Sequence, residues 1–196
     1  MLVSKAERLM DAAERIFARK GFAATTLRDV ATEIGLSHAA LYHHFPGGKE
    51  ELFAAVMERN ILRHGAGLAA ATERDGATLR DRLRGAAEWL LGQPAMDLIR
   101  MAETDMPALP PEEAKRLMDL VYREMILRLQ RVIQASADRG ELSPTTNAGL
   151  IAGAFLGMVE SLHSVPPFAV RRTRQEMAHD LIDVILKGLE YRGGVE

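Results

Sequence analysis

The sequence predicts an all-α protein, and three observations carry that prediction. Apolar residues recur at spacings of three and four almost throughout the 196 residues, β-branched runs are few, and no segment alternates as a strand would. Helix entrances are also marked. Ser or Thr stands three residues before an acid at Ser4/Glu7, Thr26/Asp29, Thr78/Asp81 and Thr173/Glu176, and such pairs satisfy the N–H groups that a helix start leaves open. Pro111 and Pro144 mark two further starts, where a missing N–H costs nothing. Gly21, Gly35, Gly92 and Gly140 mark stops.

These signals place about nine helices, over 4–20, 27–34, 38–44, 49–72, 77–91, 94–106, 111–138, 144–163 and 173–190. In the first helix Leu9, Ala13, Ile16 and Phe17 form an apolar stripe that Phe22, Phe45, Leu52 and Phe53 can complete into a small core. The second and third helices are short and close together, and the later ones are longer. "TERDG" at 72–76 is the candidate hinge between the two groups. The expected organisation is a small domain over 1–64 and a larger helical domain over 65–196.

Composition limits the function. With 47% hydrophobic and 27% charged residues the chain can bury a sizeable core. No apolar run reaches the roughly 18 residues of a membrane span, and "MLVSKAERLM" lacks the apolar core of a secretory signal. The expectation is a cytoplasmic protein with no membrane partner. The absence of cysteine excludes disulfides, thiolate nucleophiles and Cys-type zinc sites. No H-E-x-x-H pair, G-x-S-x-G elbow or dinucleotide loop occurs, and "GGKE" at 47–50 lacks the spacing of a phosphate loop. No catalytic residue, metal or cofactor is therefore expected. Net charge is −2, and residues 1–64 hold nine Lys/Arg against eight Asp/Glu. Any nucleic-acid contact must use a few placed groups, since no broad basic face exists.

Residues 27–45, "LRDVATEIGLSHAALYHHF", have the spacing of a helix-turn-helix. Small Ala31 lets the second helix cross closely, Gly35 can adopt the left-handed conformation of the tight turn, and Val30, Ile34, Leu36 and Leu41 seal the angle. Ser37 caps the third helix, whose N-terminal end would face base edges. His38, Ala39 and Ala40 would then lie nearest the bases: the alanines can touch a thymine methyl, and His38 can donate to a purine N7 or a phosphate. His43 would share that face, whereas His44 is expected to pack. Thr26 and Arg28, opening the second helix, and Lys49, opening the fourth, are candidate phosphate contacts.

The run over 7–56, with "AAERIFARKGF", "TTLRDVA", a Gly-apolar-Ser turn, "LYHHF" and "KEEL", resembles the DNA-binding domain of TetR-family transcriptional regulators. The resemblance implies that Tyr42 and Lys49 meet the DNA backbone, and that the larger domain binds an effector and dimerises. "RMAETDMPAL" at 100–109 resembles an acid-then-proline segment of that domain. One departure stands out. Three residues, "PGG", separate Phe45 from Lys49 where family members mostly have two.

Soft and aromatic side chains gather after residue 76. Trp89, Met96, Met101, Met118, Tyr122, Met125, Phe155 and Met158, with Arg100 as a polar fixture, are candidate pocket residues for an apolar effector, or simply core. Gly149, Gly153, Gly157 and Ser161 recur every four residues, and Met177, Leu181, Val184, Ile185 and Gly188 lie on one face of the last helix. Glycine weakens a helix, so this periodicity implies a packing role, either within the chain or in a four-helix dimer interface as the family forms. The reading is a homodimeric repressor that binds a palindromic double-stranded DNA operator and is released by a small-molecule effector. A helical protein-interaction adaptor, or a small enzyme, is the alternative.

Overall fold

The computed structural model describes residues 5–166, 168 and 171–190, all helical or connecting except for one isolated antiparallel bridge between Leu142 and Glu190. The helices are α1 (Lys5–Ala24), α2 (Leu27–Glu33), α3 (His38–His44), α4 (Gly48–Thr72), α5 (Leu79–Leu91), α6 (Leu98–Arg100), α7 (Pro111–Val121), α8 (Leu127–Asp138), α9 (Ala148–Ser161) and α10 (Arg174–Leu189). A π-helical turn over Tyr122–Ile126 joins α7 and α8 into one continuous helix. Capping explains the starts. The boxes at Thr26/Asp29, Thr78/Asp81 and Thr173/Glu176 are all formed, while the Ser4 cap lies outside the described residues.

Two boundaries differ from the sequence reading. The expected helix over 94–106 begins only at Leu98, capped by Asp97, and continues as a π turn over Met101–Asp105 and a 3-10 turn over Met106–Ala108. Pro144 does not open a helix; α9 starts four residues later because the Asn147 side chain accepts the Leu150 N–H at 3.0 Å. The stop expected at Gly21 is present: its backbone is non-helical at φ +77, and it kinks α1 before the last turn to Ala24.

The chain separates into two compact units. The first comprises residues up to Leu62 together with Met96–Leu120; the second comprises Arg63–Ala95 and the residues from Val121 onward. The division falls within α4, and "TERDG" links α4 to α5 inside the second unit. Residues 96–120 thus cluster with the N-terminal helices.

In the first unit the apolar stripe becomes the core. Leu9, Val30, Leu41 and Leu52 are fully enclosed, and Phe17, Phe22 and Phe53 form an aromatic triangle with centroids 4.8–6.3 Å apart. Arg59 of α4 pairs with exposed Asp11 and buried Glu14 of α1, both at 2.8 Å, tying the two helices together. In the second unit α5 packs on α10 and α9, and α8 packs on α9, around Leu83, Leu90, Leu129, Ile133, Phe155 and Ile182.

Candidate nucleic-acid interface

The turn from α2 to α3 is built by backbone bonds that glycine permits. Gly35 has φ +67, its N–H reaches Thr32 O at 3.2 Å, and the Leu36 N–H reaches Ala31 O at 2.9 Å, a pairing that closes the C-terminal turn of α2. Ser37 then opens α3, its Oγ accepting the Ala40 N–H at 3.2 Å. Leu41 anchors α3 in the core, which leaves Ala39, Tyr42 and His43 exposed and Ala40 half-buried. Tyr42 is 43% exposed, so its phenol can reach a partner outside the chain. His44, expected to pack, is only half-buried and stands edge-on to His43 at 5.7 Å.

At the entrance to α2 Arg28 is exposed, but Thr26 is committed. Its N–H and hydroxyl both donate to Asp29 Oδ2 at 2.9 Å, and the hydroxyl accepts the Asp29 N–H at 3.1 Å. Thr26 can donate to phosphate only by opening this box, so its role is to hold α2. The Asp29 carboxyl is kept below its ordinary range, first by the Thr26 N–H and then by the Thr26 hydroxyl, with Lys20 3.4 Å away.

The exit from α3 gives the additional glycine a function. The Gly48 N–H bonds Phe45 O at 3.0 Å and closes a turn; Gly48 is buried at φ +78, a conformation that suits glycine, with Tyr42 Cε1 4.0 Å from where a Cβ would stand. The Gly47 N–H is taken by Glu51 Oε2 at 2.6 Å. Lys49 then points inward. Its Nζ donates to Phe22 O at 3.1 Å and sits 4.2 Å from the Phe22 ring centroid. Lys49, expected to meet the DNA backbone, thus ties the start of α4 to the end of α1 in this structure. Glu50, Glu51, Glu58 and Glu113, opposed by Arg116, line a groove on the first unit.

The region matching "Bacterial regulatory proteins, tetR family" spans residues 9–56, from the first core leucine to the first turns of α4. Residues 9–56 thus form a tetR-family DNA-binding domain. The uncharacterised regulator YfiR of Bacillus subtilis is 27% identical over 158 residues, which are 79% of this chain and 76% of that one. The regulator BetI of Brucella anthropi is 29% identical over 158 residues, or 79% and 77% of the two chains. Among solved structures, a tetR-family regulatory protein from Rhodococcus RHA1 superposes with a TM-score of 0.78 at 25% identity, covering 96% of this chain and 98% of that one. The chain is accordingly a DNA-binding transcriptional regulator and not an enzyme.

The remaining candidates fall in different places. Met96 and Met101 are buried in the first unit and Met118 is half-buried there; Met125 and Phe155 are buried in the second, Trp89 and Met158 half-buried, and Tyr122 exposed. Arg100 is not a lone polar fixture in apolar surroundings. It lies 3.5 Å from the Asp105 carboxylate and donates to Phe17 O and Ala18 O, each at 3.5 Å. The Trp89 ring lies so close to Gly67 that a Cβ there would stand 1.9 Å from Cε2.

Residues Gly153, Gly157 and Ser161 of α9, and Leu181, Val184 and Gly188 of α10, are exposed, and a Cβ added at any of the three glycines would meet nothing within 4 Å. Gly149 faces Gln130 at 3.4 Å, and Met177 and Ile185 are half-buried. Packing among the described residues therefore does not account for most of the small-residue stripe.

Sequence reasoning missed one residue that positions the DNA-binding helices. Asp105, 4% exposed on the π turn, accepts the Phe22 N–H at 3.1 Å through Oδ1 and faces Arg100 through Oδ2. The acid of "RMAETDMPAL" was the available signal. Its partner, 83 residues away, was not.

Proposed function

We propose that this chain is a homodimeric, cytoplasmic repressor that holds a palindromic operator through the α3 helices of its two protomers. It releases the operator when an apolar or amphipathic small molecule binds the helical region that follows the DNA-binding domain. The observation that carries this reading is α3 itself: Leu41 locks it to the core while Ala39, Tyr42 and His43 project outward. In this reading Ala39, Ala40, His38 and His43 address base edges, Tyr42, Arg28 and Ser37 address phosphates, and Thr26 and Lys49 position the helices. The repressor assignment is supported by the transcriptional repressor Rv1474c of Mycobacterium tuberculosis, 33% identical over 84 residues, which make up 42% of each chain.

Dimerisation is supported by the open face of α9 and α10. Leu150 and Val184 are 66% and 67% exposed there, beside three glycines that allow close helix approach. Burying each such side chain is worth about 1.5–3 kcal/mol, and a two-fold interface counts each twice. The effector must bind the DNA-incompetent arrangement better than the competent one, since equal affinity shifts nothing.

Size exclusion with light scattering, paired with a gel shift on the promoter region beside the protein's own gene, tests the reading. A dimer that shifts this DNA is expected, with Leu150→Glu plus Val184→Glu giving a folded monomer of much lower operator affinity. A wild-type monomer at micromolar concentration sinks the dimer, and a failure to discriminate this region from unrelated DNA sinks the operator.

A further inference from the structure

The second unit holds a cluster of four arginines that recognition by α3 does not use, partly balanced by Glu73, Glu124 and Glu141. A cavity of about 290 Å³ is walled by Val132 and Ala135 and ringed by Arg82, Arg128, Arg131 and Arg139, in a chain whose net charge is −2. The spacing 128, 131, 132, 135, 139 puts one face of α8 and its C-terminal cap on the cavity. Arg82 enters from α5, and Thr72 and Glu73 close the side at the end of α4.

Three of the guanidinium groups are held in place before any ligand arrives. Arg128 is fixed by Glu124 Oε2, at 3.2 Å from Nε and 2.7 Å from Nη2. Arg139 is fixed by Glu141 at 2.6 and 3.2 Å and by Ser136 Oγ at 2.8 Å. Arg82 is held through Nε and Nη1 by the carbonyl oxygens of Ala77 and Thr72, which orient it without neutralising its charge. These bonds leave Nη2 of Arg82 and Nη1 of Arg139 uncommitted. Arg131 is exposed and has no hydrogen-bond or ion-pair partner among the described residues. The carboxylate in the lining, Glu73, is 71% exposed and 3.6 Å from Arg128, so it can swing into solvent.

We propose that this cavity binds a small molecule carrying two or more phosphate charges, gripped by the fork of Arg131 and by the open Nη2 of Arg82 and Nη1 of Arg139, with Arg128, paired to Glu124, forming the wall beside them. Guanidinium forks match phosphate oxygens in pairs, and convergence of several favours a multiply charged group over a single carboxylate. The volume lies at the lower edge of small-ligand pockets, about 300–1,000 Å³, so it accommodates a diphosphate group in full and only part of a larger molecule.

Calorimetric titration of the full-length protein with inorganic pyrophosphate at low ionic strength tests this. The expected result is saturable binding of one pyrophosphate per chain, weakened at least about tenfold by Arg131→Gln and unchanged by Arg123→Gln, with citrate at least about tenfold weaker than pyrophosphate. Arg131 has no hydrogen-bond or ion-pair partner among the described residues, so circular dichroism should find the R131Q variant fully folded. Absence of saturable binding, equal binding by R131Q, or citrate binding as tightly as pyrophosphate would each overturn the proposal. R131Q that loses operator affinity while keeping pyrophosphate binding would assign the arginines to DNA, overturning it as well.

Discussion

Replacing Asp105 with alanine removes the acceptor that holds the end of α1, and its cost can be worked from the contacts. The carboxylate is 4% exposed, and its Oδ1 takes the buried Phe22 N–H at 3.1 Å. A buried donor left without an acceptor costs about 1–3 kcal/mol. Arg100 loses a partner 3.5 Å away, but its side chain is 35% exposed and water can serve it, so this pair adds at most a few tenths. The expected loss is about 2 kcal/mol, or roughly 4–8 °C in Tm at about 2–4 °C per kcal/mol for a chain of this size. Asp105→Asn keeps a carbonyl oxygen for the Phe22 N–H and should lose about half as much. Operator affinity should follow the same order, because Phe22 O also receives Lys49 from the turn that leaves α3. Thermal unfolding by calorimetry, with gel-shift titration beside it, measures both. A D105A variant melting within about 1 °C of wild type, or D105N melting as low as D105A, would refute the view that the accepted N–H carries the effect.

Other consequences concern salt and pH. Lys49→Gln should lower Tm while changing the slope of log affinity against log salt by less than about half a unit; a drop near 0.9 would return Lys49 to the DNA backbone. His163 is held below its ordinary range, first by burial and then by Arg174, against a hydrogen bond to the Leu90 backbone. The unfolded chain therefore binds this proton more readily, so stability is present above pH about 6.5 and declines as pH falls below it. His163→Gln should flatten that decline in denaturant titrations between pH 7 and 5; an unchanged slope would exclude His163 as its source.

The legible part of the protein was its local part. The three described capping boxes act across three residues, and the apolar stripes of Leu9 to Phe17 and Val30 to Leu41 repeat within a few turns, so spacing alone located helices and the buried face of α3. Ala39, Tyr42 and His43 were readable as outward residues for the same reason. The miss at 94–106 is also local: a π turn leaves no distinctive composition, and Asp97 four residues into the expected helix was the better start signal.

The sequence by itself determined the fold class, the helix-turn-helix and its exposed residues, because periodicity and capping are interactions between neighbours along the chain. Tertiary structure decided what those neighbours could not. It gave Asp105 the Phe22 N–H, turned Lys49 onto Phe22 through a left-handed Gly48, and gathered Arg82 with three arginines of the α8 region around one cavity. It also left Gly153, Gly157 and Gly188 facing open space. Each of these depends on which distant segments meet, and a carboxylate, an ammonium or a glycine acquires its role only from the group that packing sets opposite it.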